Sequence, residues 1–417
     1  MTEAIVILCI MYAILIAASV VFRNNVKIVM LFSVVSAVIG LLIAGFKLDT
    51  RIMEGMSGYL DAIFHALTGT ALVAVLHGNG TLDWILSRIV SLKNSFVKAL
   101  VLAFFIAIPG MISGMATVSM LTAGAVAGAY LIENGMPKKK VVAFVATASI
   151  AGMLLPPYSI ITMVFLSNAF AGLSLPLLVL GLPVLLVVTV AFMGPVAEAT
   201  KASAKDVPGS ASCIVPLLVA LVLYLCYDFG KAFLPFLGLP LIAMIAFVVA
   251  ILLPAGKRGN PITQVGDLVA KVSPLLAAVV LLGMVQATAS RCGVFGTLTA
   301  VVYDMNSTVN TVIAFIVVAA VGIFAGWYPA MALASVAFTF GDSNLGIQLA
   351  YTALMGLVML FSVKNNFFDQ TFAVLAPEEK AEGSAANFKT ALAPALALII
   401  MFFFCYFASS VIAGLRM

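Results

Sequence analysis

The chain is short of charge, of histidine and of paired cysteine, and each shortage removes a class of protein. Only 9% of its 417 residues are Asp, Glu, Lys or Arg. A soluble domain of that length cannot cover its surface with so few ionised groups, so lipid is the expected solvent. There are two histidines, His65 and His77. An enzyme within the membrane would want His with paired carboxylates, or Ser with His, at one depth. No such cluster is present in the sequence, and an enzyme is not expected. The cysteines Cys9, Cys213, Cys226, Cys292 and Cys405 stand singly, without CxxC or metal-ligand spacing. They read as small hydrophobes, and no resident cofactor is expected. The net charge of +5 comes from basic residues in short connections, which is not a nucleic-acid signal.

What is there is apolar surface. Hydrophobic residues make up 64% of the chain and the mean hydropathy is +1.22. The pattern predicts an all-α polytopic membrane protein embedded in a lipid bilayer. The opening Met-Thr-Glu lacks a basic stretch and no small-residue cleavage site follows the first apolar run, so that run reads as a retained span. Crossings are expected at about 3–21, 27–46, 60–77, 141–172 and 174–195, then at about 211–229, 232–254, 274–290, 348–376 and 388–414. Two regions, 97–133 and 308–341, are apolar but interrupted. The stretches 78–97 and 255–272 are amphipathic, the first carrying Trp84, Leu86 and Ile89 against Asp83, Arg88 and Lys93. It reads as a helix lying in the interface or as a short connector.

If both interrupted regions dip in and return on one side, the basic loops share a face. Arg23 and Lys27, then Arg88, Lys93 and Lys98, then Lys138, Lys139 and Lys140, then Lys201 and Lys205, then Lys257 and Arg258 all become cytoplasmic. The opposite loops, "NAFAGLSLP", "DFGKAF" and "GDSNLG", carry one basic residue between them. This places the chain in a cell inner membrane with both termini outside.

The order of elements also repeats. "PGMISGMATVSM" lies over "AGWYPAMALASV" with Gly110 opposite Gly326, and "GNGTLDWIL" over "RCGVFGTL" with Gly80 opposite Gly293. The reading is two inverted repeats of five crossings each. Residues 1–200 hold the first, with a re-entrant hairpin at 97–133 and a broken helix at 141–172. Residues 201–417 hold the second, with a hairpin at 308–341 and a broken helix at 348–376. Inverted repeats with broken elements in matching places are an architecture of secondary transporters.

Three segments carry the candidate chemistry. In "GMISGMATVSM", Gly110 and Gly114 permit a turn, while Ser113, Thr117, Ser119 and Thr122 add hydroxyl oxygens. Backbone groups freed at such a tip survive only inside protein or beside a water-filled cavity, where they hold ions; close helix packing by small residues is the other reading. In "ASIAGMLLPPYSIITMVF", Pro156 and Pro157 remove two amide donors and break the helix. In "MLFSVKNNFFDQTFAVLAP", Lys364, Asn365, Asn366, Asp369 and Gln370 interrupt a span, either as an intramembrane site or as its interfacial end. His65, Thr68 and Thr70 on the third span, Gln286, Thr288 and Ser290, and Trp327 and Tyr328 before Pro329 are weaker candidates, and Glu133 reads as a surface partner of the lysines.

The string from Pro109 to Ser159, with Ser113-Gly114, Gly135-Met136-Pro137 and Gly152 to Ser159, resembles the large membrane subunit of TRAP-type transporters and, more broadly, the ion-transporter superfamily. The resemblance is specific over about 110–160 and architectural elsewhere. It implies a scaffold part and a mobile transport part, sodium coupling, and a small organic anion such as a carboxylate. It implies a site at Ser113, Gly114, Thr117, Pro156 and Pro157. Met115 and Lys364-Asn365-Asn366 depart from the family pattern, which usually has Ser or Thr at the first place and a Gly-Thr-Pro-Pro-like break at the second.

The resulting expectation is a sodium-coupled, elevator-type secondary transporter. It acts either as a TRAP permease subunit, with a small membrane subunit and a periplasmic binding protein, or as a stand-alone symporter; a homodimer is one assembly option. The substrate would contact Ser113, Gly114, Thr117, Pro157, Asn365, Asn366 and Asp369. Sodium would sit at the hairpin tips, near Gly110, Ser113, Pro156, Gly326, Lys364 and Asn365. An ion or solute channel and a proton-coupled carrier are the alternatives.

Overall fold

The computed structural model describes residues 2–22, 25–46, 51–165, 174–201, 211–229, 238–253, 259–302, 307–337, 345–363, 366–378, 391–409 and 412. Lys364 and Asn365 lie outside them, as do Arg23, Lys47, Lys205, Lys257, Arg258 and most of the three opposite-side loops named above. The described residues form helices and no strands, as the composition demands of a chain whose backbone must be satisfied without water.

The first half runs α1 (Thr2–Val21), α2 (Val26–Ile43), the short α3 (Arg51–Ser57), α4 (Leu60–Gly78), α5 (Thr81–Val90), α6 (Ser95–Ser113), α7 (Ala116–Glu133), α8 (Lys138–Leu154), α9 (Ile160–Phe165) and α10 (Ser174–Ala199). The second runs α11 (Val215–Phe229), α12 (Leu239–Leu252), α13 (Pro261–Arg291), α14 (Val294–Val302), α15 (Ser307–Ala325), α16 (Trp327–Ala337), α17 (Leu345–Phe361), α18 (Phe367–Leu375) and α19 (Leu392–Phe407). Eight helices among the described residues are long and apolar enough to cross a membrane. The chain is an all-α, multi-pass membrane protein.

Capping residues set several boundaries. Asn94 accepts from the amides of Phe96 and Val97 and opens α6; Asn25 and Asn260 do the same for α2 and α13. Gly80 and Gly293, opposite each other in the repeat alignment, are both left-handed, with φ of 81° and 71°, and each precedes a short helix, α5 and α14.

Two expected boundaries move. The amphipathic stretch before 274 is not a separate element, because α13 runs unbroken from Pro261 through Pro274 to Arg291. Proline removes one helical hydrogen bond, and continuous packing of α13 on α2, α3 and α4 outweighs that loss. The helix α5 keeps its amphipathic face, but Leu82, Trp84, Leu86 and Ile89 are buried against protein, with Trp84 beside Cys213 and Arg88 over its ring at 5.3 Å.

The halves interlock. The second helix of each half packs on the other half, α2 on α13 and α12 on α4, and α4 and α13 also touch. Behind them α6, α8 and α10 pack together, as do α15, α17 and α19 with neighbouring members in contact, and α10 meets α19. Leu102, Phe144, Leu154, Tyr351 and Phe368 are 1% exposed or less in the main core, while Ile316, Phe324, Val190 and Phe407 on outward faces are more than half exposed, as lipid-facing residues are.

Candidate functional site

The first interrupted region bends at Gly114. There φ is 71°, a conformation that L side chains rarely adopt, and Met115 after it is extended before α7 begins. Ser113, fully buried, donates its hydroxyl to the carbonyl of Pro109 at 2.7 Å and accepts from the amide of Met115 at 3.3 Å, so it caps the bend from inside. Ser119 on the return leg hydrogen-bonds back to the carbonyl of Ile106. Thr117 is half-buried on that leg. The return leg contains a π-helical turn at Met120–Gly124, the kind of widened turn that recurs at functional sites. Each leg, at 19 and 18 residues, is long enough to cross a membrane.

Gly110 does not turn. It lies inside α6, where a Cβ would stand 3.2 Å from the backbone of Gly152 and Met153, so its smallness lets α6 and α8 approach. The second bend is at Gly326, with φ of 100°. The structural partner of Gly326 is therefore Gly114, one helical turn beyond the residue that letter-matching put opposite it. The side chains of Ala332 and Met331 are buried on that second return leg, and Tyr328 accepts from the hydroxyl of Ser33 at 2.9 Å, which seats α16 on α2.

Both long spans are broken where the sequence expected. α8 ends at Leu154, Leu155 is extended, the Pro156–Pro157 peptide is cis, and α9 starts at Ile160. The other span stops at Phe361 and α18 starts at Phe367. Asn366, fully buried, is its cap: Oδ1 accepts from the amide of Asp369 at 2.8 Å and Nδ2 donates to Asp369 Oδ2 at 3.0 Å. The other oxygen, Asp369 Oδ1, is buried and has no hydrogen-bond partner among the described residues. Nothing structural attaches to Lys364 and Asn365, which are outside the described residues.

Each break is tied to the hairpin of its own half. The amide of Ile160 donates to the carbonyl of Gly114 at 3.2 Å, and the amide of Val363 donates to the carbonyl of Ile323 at 2.8 Å. Both carbonyls belong to a hairpin's first leg or its bend, and both amides belong to chain that a broken helix leaves without a helical partner. Ile160 is buried, and a buried amide left unpaired costs about 1–3 kcal/mol, so its bond is a sound reason for the first break to sit at the first bend.

The helix after each break also packs against the other half. α9 packs on α17 and α16 of the second half, and α18 packs on α8 and α7 of the first. Thr162 on α9 and Thr352 on α17 face with their hydroxyl oxygens 3.3 Å apart. Thr371 on α18 donates to Met120 Sδ at 3.2 Å, at the π turn of α7. Sequence reasoning did not single out Thr162, Thr352, Thr371, Met120 or Tyr158. Tyr158 lies between the prolines and α9; its ring fills the space beside Gly114 and its hydroxyl donates to Ala62 at 2.5 Å. Of the weaker candidates, Thr68 and Thr70 donate to carbonyls of their own helix, while Gln286 is held by the hydroxyl of Tyr59.

At the level of sequence, no family model and no curated protein matches the chain. Its fold does match solved structures. The YdaH transporter of Alcanivorax borkumensis superposes with a TM-score of 0.55 at 13% identity, over 88% of this chain and 87% of that one. MtrF of Neisseria gonorrhoeae, presented as illuminating a class of antimetabolite efflux pumps, superposes with a TM-score of 0.54 at 12% identity, over 89% and 84%. These likenesses establish a shared fold across nearly the whole chain.

Proposed function

We propose that the chain is a secondary active transporter in which a small organic anion binds where the two broken helices and the two hairpin bends converge. The observation that carries this reading is the double tie of each break: by its backbone to its own hairpin, and by α9 or α18 to the other half. Such an arrangement concentrates non-helical backbone in one protein-lined place, as carriers with discontinuous helices do. The likeness in fold to the YdaH transporter and to MtrF supports it.

In this reading the halves are inverted repeats, the termini lie outside the inner membrane, and each hairpin enters and leaves on the same side. Two full crossings by the legs would preserve that orientation, since an even number returns the chain to its starting face. Sodium is the coupling ion: it binds at carbonyl and hydroxyl oxygens of the first bend, with Ser113 and Gly114, and at Asp369 in the second break. Asp369 Oδ1 supports the second position, because a buried carboxylate oxygen without a donor is costly until a cation or proton reaches it. Asn366 and Thr117 line the anion's side. The hairpins and broken helices move together against α1–α4 and α11–α13, in an elevator-like step.

The motif around Ser113-Gly114 supports a permease subunit of the TRAP type; a carrier that works alone uses the same residues. A second reading, export of the solute, is favoured by the likeness to MtrF. The test is a thermal-shift screen of purified protein with carboxylates and sulfonates, with and without sodium, followed by uptake and efflux in proteoliposomes. The proposal expects a solute whose stabilisation requires sodium and is lost in Asp369→Ala. Stabilisation independent of both would sink it.

A further inference from the structure

His65 on α4 is 1% exposed, and neither Nδ1 nor Nε2 has a hydrogen-bond partner among the described residues. A neutral imidazole carries one donor and one acceptor, so both are desolvated here with nothing in return. Its surroundings are specific. The ring of Tyr158 meets it edge-on at 3.9 Å between centroids, and the ring of Tyr224 from α11 at 6.4 Å. The backbone of Ile112 and of Leu239 lies beside it. Gly69, one turn along the same face of α4, locates the first of these independently: a Cβ there would stand 2.5 Å from the carbonyl oxygen of Ile112. Ile112 is the penultimate residue of α6, whose last carbonyls lack helical partners and carry the negative end of the helix dipole.

Among the described residues no opposite charge faces the ring; α11, which brings Tyr224, carries Cys226, Tyr227 and Asp228 further along. On α4 itself, Asp61 is exposed one turn earlier. α12 and α9 contain no titratable residue, and α6 has only Lys98, at its far end. α7 offers Tyr130 and Glu133, beyond its π turn. α5 carries Asp83 and Arg88 past the His77 end of α4, and the α13 charge nearest α4, Lys271, also lies toward His77. Among the described residues, the acceptors beside the ring are main-chain carbonyls.

We propose that His65 is a proton-binding residue that clamps the first hairpin. On taking up a proton from water, its two N–H groups bond the carbonyls of Ile112 and Leu239, tying the bend of α6 to α4 and α12. On release, the neutral ring lets the bend go. The site stands on its own geometry; its meaning for transport, a proton-gated bend, rests on the carrier reading above.

The test uses the full chain, purified and reconstituted in nanodiscs, with isotope-labelled histidine and His77→Gln to assign the two resonances. His65 is expected to take up a proton only toward the acidic end of a titration carried from about pH 8 down to about pH 3. Over that range amide exchange of Gly110–Met115, corrected for its intrinsic rate, slows by roughly tenfold or more, the scale of a charge-assisted hydrogen bond. The slowing disappears in His65→Gln and persists in His77→Gln. A His65 that stays neutral throughout, or slowing undiminished in His65→Gln, overturns the proposal. Should His65→Gln not fold, the titration of the native residue decides alone. No transported solute enters these measurements, so their failure and the failure of the carrier reading are told apart.

Discussion

The backbone amide of Ile160 donates to the carbonyl of Gly114 at 3.2 Å, joining a broken helix to the bend of a hairpin 46 residues earlier in the chain, counting from 114 to 160. The second half repeats the relationship with Val363 and Ile323 at 2.8 Å. Two interruptions that are each unfavourable in lipid thus satisfy one another, and the predictions below test what that pairing is for.

Gly114 is required for both its φ and its space. Gly114→Ala incurs about 1–2 kcal/mol from the left-handed backbone, and its new methyl group meets the ring of Tyr158. Gly135 has a φ of 86° with nothing within 4 Å of a Cβ, so Gly135→Ala incurs the backbone cost alone. Thermal melting in detergent should rank Gly114→Ala well below Gly135→Ala. Equal losses would mean that the Tyr158 contact is not tight.

Asn366 holds both the start of α18 and one oxygen of Asp369. Asn366→Ala should cost about 1 kcal/mol of stability through the lost cap, yet abolish uptake in protein that remains folded. Asn366→Asp keeps the cap acceptor but sets a second carboxylate beside Asp369 in a buried place, and should recover neither stability nor uptake. Uptake at the native level in either variant would remove this break from the site.

Ser113→Ala removes the hydroxyl that caps the first bend. Its expected effect is a severalfold rise in the sodium concentration giving half-maximal uptake, with a smaller change in maximal rate. An unchanged sodium dependence would argue against a cation at that bend.

The fold class was legible from hydropathy, because a lipid solvent leaves the helix as the one way to satisfy a backbone that is not a closed barrel. Both breaks were legible too. Pro156-Pro157 has no helical alternative, and the polar run ending at Asn366 interrupts an apolar one. The first bend lies at Gly114, one of the two glycines expected to turn, while the repeat alignment had set Gly110 opposite Gly326. Gly110 and Gly114 look alike in sequence, and only packing distinguishes a glycine that turns from one that lets α8 approach. The long α13 was cut short because the amphipathic stretch 255–272 read as separate from the apolar span, whereas α2, α3 and α4 pack against one continuous helix. What sequence could not supply was the contact between halves. Thr162 and Thr352 are 190 residues apart, and Met120 and Thr371 are 251 apart. Nothing local in either threonine's neighbourhood distinguishes it from the many others that bond to their own helix.

The most direct measurement compares two disulfide cross-links in a variant stripped of its native cysteines, assayed for transport in proteoliposomes before and after reduction. The pair Thr162→Cys with Thr352→Cys joins α9 to α17, two elements held to move as one body. The pair Ser33→Cys with Tyr328→Cys joins α2 to the second hairpin, across the expected sliding surface, through a disulfide-containing bis-maleimide, because the native hydroxyls meet at 2.9 Å only at the end of a tyrosine much longer than cysteine. The account predicts that the first cross-link leaves transport largely intact and that the second arrests it until reductant is added. Full transport with α2 and the hairpin locked together would contradict it.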